Sequence, residues 1–154
     1  MKNKMKPIIF GSLSALWTYI IISMSMQNAE TSNGVSRGLL KALLITFYEI
    51  TNIEISPDTI HTLFRKMAHF TEFFVLGIFV VLFFDSIKKN KLLAVLYGAA
   101  IAYFDELTQF FTGEGRAMQF SDMIIDTSGA ALAVFIICLC QAYKLNKVNR
   151  QKNT

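Results

Sequence analysis

The chain has 154 residues, of which 53% are hydrophobic and 17% charged, with 14 Phe and 7 Met, and its mean hydropathy is +0.43. A soluble domain needs more polar surface than this, so the composition argues against an ordinary soluble enzyme and for a membrane protein. The net charge of +4 does not point to nucleic acid, because the lysines flank apolar blocks and form no interleaved aromatic and basic stripe.

The apolar residues gather into four long blocks. The first runs from Pro7 to Met26 without a charge and follows Lys2, Lys4 and Lys6, which is long enough to span a bilayer. A cleaved signal peptide is the rival reading, since Ser23 and Ser25 have suitable spacing, but the apolar stretch is longer than the usual core of such peptides. Residues 27–56 form an outer connection. Within it, Leu39, Leu40, Leu43, Leu44, Phe47 and Ile50 recur near helical spacing. An amphipathic helix over about 36–51 is expected there, lying on the outer leaflet or capping the bundle.

The second block is expected to be helical over 57–86, with Ser56 and Pro57 as N-cap and first-turn pair. The third runs over 92–112. Gly113, Glu114, Gly115 and Arg116 then make a turn, because closely spaced glycines break a helix. The fourth is expected over about 121–143, with Ser121 as N-cap and Asp122 in the first turn, where the helix dipole favours an acid. Cys138 and Cys140 read as small apolar residues and not as a disulfide. The expectation is a single all-α domain over 1–154: a polytopic four-transmembrane-helix bundle with an extracytoplasmic amphipathic helix between its first two spans.

Orientation follows from charge. Ten of the fifteen basic residues, Lys2, Lys4, Lys6, Lys88, Lys89, Lys91, Lys144, Lys147, Arg150 and Lys152, fall on one side with Asp85 as their only acid. That side is expected to be cytoplasmic, with both termini inside. The other ten acidic residues lie on the opposite side. Several are inside apolar segments, where an ionisable group is costly and marks a functional candidate.

Asp58, His61, Arg65, His69 and Glu72 recur at intervals of three and four, along one stripe of the second helix. Lys66 lies beside it, and Glu72 is roughly 9 Å deeper at about 1.5 Å per residue. The third helix supplies Asp105 and Gln109 at i, i+4, with Glu106 about 100° around the helix. The fourth supplies Asp122 and Asp126, with Gly129 on the same face and suited to close helix approach. Short connections between antiparallel helices bring these patches together near the outer surface, with Arg116 descending from the turn.

Mutual pairing of Arg65, Lys66 and Arg116 with Glu72, Asp105 and Asp122 would account for any one ion pair. It accounts less well for the whole set, because acids outnumber bases and the excess invites a cation, a proton or a cationic ligand. A general acid-base site is one option, with His69, Glu72, Glu106 or Asp122 handling protons and Lys66 or Arg116 holding an anion. No cofactor is expected. A divalent metal is a weaker option, resting on His69, Glu72 and carboxylates across the bundle; with two histidines in the chain, a hydrogen-bonded His and acid is the plainer reading.

Arg65-Lys66-Met67-Ala68-His69-Phe70-Thr71-Glu72-Phe73-Phe74-Val75-Leu76-Gly77, then Asp105-Glu106-Leu107-Thr108-Gln109-Phe110-Phe111, Arg116 and Asp122 to Gly129 resemble the VanZ-like membrane family across essentially the whole chain. Ser25-Met26-Gln27 resembles the family's signature after its first helix. The resemblance implies functional weight at Lys66, His69, Glu106, Gln109, Arg116, Asp122 and Gly129. One position departs: Asp126 stands where the family pattern usually has Asn, which adds a charge. The resemblance implies an integral protein of the bacterial cytoplasmic membrane with a cell-envelope role, its founding member being associated with low-level resistance to the glycopeptide teicoplanin.

Three functions then compete. One is binding of antibiotic, lipid or a lipid-linked wall precursor at an extracytoplasmic polar pocket formed by Lys66, His69, Asp105, Glu106, Gln109, Arg116, Asp122 and Asp126. The second is a membrane-embedded enzyme acting on a polyisoprenyl-phosphate or other envelope lipid. The third is a proton-coupled transporter.

Overall fold

The computed structural model describes residues 2–26, 45–46, 48–49, 57–112 and 118–152. Its order is α1 (Lys2–Ser25), α2 (Pro57–Ser86), α3 (Leu92–Thr112) and α4 (Phe120–Lys152), with no strand among the described residues. The expected bounds of α2 and α3 coincide with those observed. α1 begins five residues ahead of Pro7; Pro7 costs one backbone hydrogen bond near the helix start, and the lysine-rich turn continues past it. α4 runs nine residues beyond the apolar block, because Lys144, Leu145, Lys147 and the residues after them are good helix formers that need no apolar environment. Of the expected outer helix, residues 45–46 and 48–49 are helical and exposed, and the rest lies outside the described residues.

The helices form a bundle in which α2 and α3 touch each other and both remaining helices, while α1 and α4 lie on opposite sides and do not meet. Ile21, Phe73, Leu76, Val80, Val81, Ala94 and Ala102 make the buried core. The seam between α2 and α4 is built from small residues. A Cβ added at Gly77 would lie 2.8 Å from the Ala130 carbonyl oxygen, and one at Gly129 would strike the Phe70 carbonyl oxygen. Both glycines therefore let two helix backbones approach directly.

The outside of the bundle is apolar, with Leu16, Tyr19, Leu96, Phe104, Phe135 and Leu139 all exposed. Large apolar side chains distributed over the perimeter suit lipid and not water. Among the described residues, three helices are long and apolar enough to cross a membrane, over Met5–Ser25, Thr62–Ser86 and Phe120–Gln151. α3 carries Asp105, Glu106 and Gln109 in its second half, and all three are buried.

The lysine-rich end is closed by polar contacts. Lys89 N–H donates to the Phe84 carbonyl and Lys88 N–H to that of Asp85, while Lys88 takes the left-handed conformation at φ 56°, the pairing that terminates a helix with a six-to-one hydrogen bond. Asn90 Oδ1 then accepts from Leu92 N–H at 3.0 Å and starts α3. Asp85, the one acid on this side, pairs with Lys91 at 2.9 Å and accepts from Gln141 at 3.2 Å. Lys91 also donates to Gln141, so the α2–α3 turn is fastened to α4.

Candidate functional site

The opposite end collects polar side chains from all four helices. On α2, Arg65, His69 and Glu72 follow one another along the helical stripe expected from their spacing, with Lys66 beside it. Arg65 Nη2 lies 3.3 Å from Asp122 Oδ2 and Lys66 Nζ 3.2 Å from Asp122 Oδ1. Both cations are thus spent on one carboxylate of α4, each keeping about a third of its side chain exposed at 34% and 30%. They form a cationic rim.

Beneath the rim the site is acidic. Asp105 is fully buried; Gln109 Nε2 donates to its Oδ2 at 2.8 Å and Ser25 Oγ donates to its Oδ1. His69 Nδ1 stands 3.9 Å from both Glu72 Oε2 and Asp105 Oδ2. That is too long for a hydrogen bond. Glu72 also anchors α1, because its backbone carbonyl accepts from Trp17 Nε1 at 2.9 Å. Asp126 is 1% exposed, and neither of its oxygens has a hydrogen-bond partner among the described residues.

Glu106 has a structural task as well. Its Oε2 accepts from Gln119 N–H at 2.8 Å, tying the end of α3 to the residue whose carbonyl accepts from Met123 N–H and opens α4. The expected N-cap at Ser121 is corrected accordingly: the helix starts one residue earlier, and Ser121 Oγ donates within the first turn to Asp122 Oδ1 at 3.1 Å.

Of the residues singled out by sequence, Lys66, His69, Glu72, Asp105, Glu106, Gln109, Asp122 and Asp126 are brought to this end of the bundle. Arg116 and Glu114 lie outside the described residues, as do the side chains of Asp58 and His61. Two participants were not singled out for the site. Ser25 reaches Asp105 from α1, and its signal was its place in the Ser25-Met26-Gln27 motif. Arg65 shares Asp122 with Lys66; it belonged to the stripe, but nothing in the spacing selects its partner. Phe110 and Phe111 are exposed and line no part of the cluster, whereas Phe73 is buried in the core.

The arrangement places partly exposed cations above buried acids, with His69 23% exposed between them. Such a site can receive an anionic group on Lys66 and Arg65 in exchange for Asp122. It can also hold a cation or a proton among the acids below.

Comparison with curated proteins and with solved structures gives no match. A protein-family model does match, described as VanZ/LLP1 and covering residues 10–141, which takes in all of α2 and α3 and most of α1 and α4. The matched region contains every described residue of the polar cluster, and the chain belongs to the VanZ/LLP1 family.

Proposed function

We propose that this chain is a bacterial cell-envelope protein that binds an amphiphile with a polar head at the cluster between α2, α3 and α4, and thereby lowers susceptibility to a glycopeptide such as teicoplanin. The amphiphile is the antibiotic itself, a lipid, or a lipid-linked wall precursor. The observation that carries this reading is the stacking of a partly exposed cationic rim on buried acids at one end of an otherwise apolar bundle. Ionisable groups inside lipid-facing helices are retained for function.

The reading takes the bundle as four spans. α3 has 21 residues, about 31 Å at 1.5 Å per residue, and its outward side chains Leu92, Leu96, Tyr103 and Phe104 are apolar and exposed. The lysine-rich end faces the cytoplasm by the excess of Lys and Arg, which puts the polar cluster outside. Single cysteines at Lys89 and Glu114, in a chain whose Cys138 and Cys140 are replaced by Ala, report this directly. An impermeant maleimide added to intact cells labels the position 114 variant and spares the position 89 variant. Labelling of both from outside overturns the orientation.

Expression in a susceptible host tests the function. Teicoplanin tolerance rises with the unaltered chain and returns to the baseline with His69→Ala or Lys66→Ala at equal membrane levels. Unchanged tolerance in both variants removes the cluster from the function. The unpartnered His69 Nδ1 and Asp126 carboxylate favour a second reading, an enzyme acting on a polyisoprenyl-phosphate, with Lys66 holding phosphate and His69 handling the proton. Release of phosphate from such a lipid by the purified protein, abolished by His69→Ala, separates it from binding alone.

A further inference from the structure

Two polar groups at the centre of the cluster are unsatisfied side by side. Asp126 is 1% exposed, and among the described residues neither its oxygens nor the buried His69 Nδ1 has a hydrogen-bond partner. Buried polar atoms are nearly always paired, and each exception requires an explanation. Among the described residues the cations do not supply one, because Arg65 and Lys66 both engage Asp122 and Arg65 Nε is itself without a hydrogen bond.

The unsatisfied groups have a common focus. One ligand atom each from His69 of α2, Asp105 of α3 and Asp126 of α4 lie within 4.8 Å of one another. Around a tetrahedral ion bonded at about 2.0–2.2 Å, neighbouring ligands sit about 3.3–3.5 Å apart. Side-chain rotation of about an ångström therefore closes the set. Asp105 is already oriented by two donors, Ser25 on one oxygen and Gln109 on the other, as outer-shell partners orient a metal-binding carboxylate.

We infer that His69, Asp105 and Asp126 form a divalent metal site, and that its ion is zinc. One imidazole nitrogen with two carboxylate oxygens suits zinc better than the all-oxygen sets preferred by magnesium and calcium. Three protein ligands leave a position open toward the partly exposed side of His69, where water or a ligand oxygen completes the shell. The site depends on Asp126, the position at which this chain departs from the pattern it otherwise resembles. It also depends on the α2–α4 seam: Gly129, three residues after Asp126, sits against the carbonyl of Phe70, the neighbour of His69. This assignment does not rest on the proposed envelope function, since metal content is read on purified protein and tolerance on cells.

The test uses the full chain purified in detergent through a histidine-free tag, stripped with chelator, exposed separately to Zn²⁺, Mn²⁺ or Mg²⁺, desalted, and analysed for metal per chain. About one Zn²⁺ per chain is retained, as a single three-ligand site requires. Asp126→Asn and His69→Asn retain little, Gln109→Ala binds about 10- to 100-fold more weakly, and Asp85→Asn at the far end binds as the unaltered chain does. An independent readout on the unaltered protein is diethylpyrocarbonate modification of His69, which zinc lowers relative to the metal-free protein, read by peptide mass spectrometry. No retained zinc, equal retention in the Asp126 and His69 variants, or absence of protection at His69 overturns the site. Tighter retention of Mg²⁺ or Mn²⁺ overturns its assignment to zinc.

Discussion

Gly129→Leu is expected to abolish the folded bundle, seen as loss of the monodisperse species in detergent and of a cooperative thermal transition. A Cβ at position 129 meets the carbonyl oxygen of Phe70, with Phe74 N at 3.1 Å and Phe70 C at 3.3 Å. These are backbone atoms of a packed helix and cannot rotate away as a side chain would. α2 and α4 must therefore separate along a seam that also includes Gly77 and Ala130. Overpacking by a few methylenes in a packed core costs about 1–3 kcal/mol. Gly129→Ala falls in that range, and Leu exceeds it because the helices part over several turns. The separation also withdraws Asp126 from His69, so any Gly129→Leu protein that survives has lost metal retention. A Gly129→Leu protein that melts within about 2 °C of the unaltered one would show that the seam is loose.

Much of this architecture was legible in the sequence, for reasons that differ between elements. Ser56-Pro57 marks the start of α2 through local chemistry, the limits of the apolar blocks mark the end of α2 and the start of α3, and the observed bounds coincide. The extension of α4 was missed because hydropathy marks where lipid ends and not where a helix ends; Phe120–Lys152 continues as long as propensity permits. Intervals of three and four placed His69, Asp105, Gln109, Asp122 and Asp126 on inward faces, since helical periodicity fixes direction. It does not fix partners. That Arg65 and Lys66 both choose Asp122, that Glu106 opens α4 through Gln119, and that Ser25 holds Asp105 depend on the rotation and stagger of one helix against another. Those follow from where Gly77 and Gly129 allow contact, which is a property of pairs of helices and not of any one segment.

Asp126→Asn is expected to make the metal-stripped protein more stable while removing its response to zinc. In the metal-free state the Asp126 carboxylate is buried, has no donor among the described residues, and shares its surroundings with Asp105, within 4.8 Å through the shared His69 cluster. Leaving a buried polar group unsatisfied costs about 1–3 kcal/mol, and more when it carries charge. Asparagine has nearly the same shape, removes the acid, and turns an N–H₂ donor toward neighbouring carboxylates. A gain of about 1–3 kcal/mol corresponds to a melting temperature higher by about 2–12 °C for a chain of this size. Zinc reverses the order: it stabilises the unaltered chain by binding the folded state and leaves the Asn variant where it was. Thermal melts with and without zinc, on both proteins, read the two effects separately. A metal-free Asn variant that melts below the unaltered protein would mean that Asp126 already has a stabilising partner. A variant that gains from zinc as much as the unaltered chain would place the metal elsewhere. The position would then be structural, and the excess of acid at this end of the bundle would need another counter-charge.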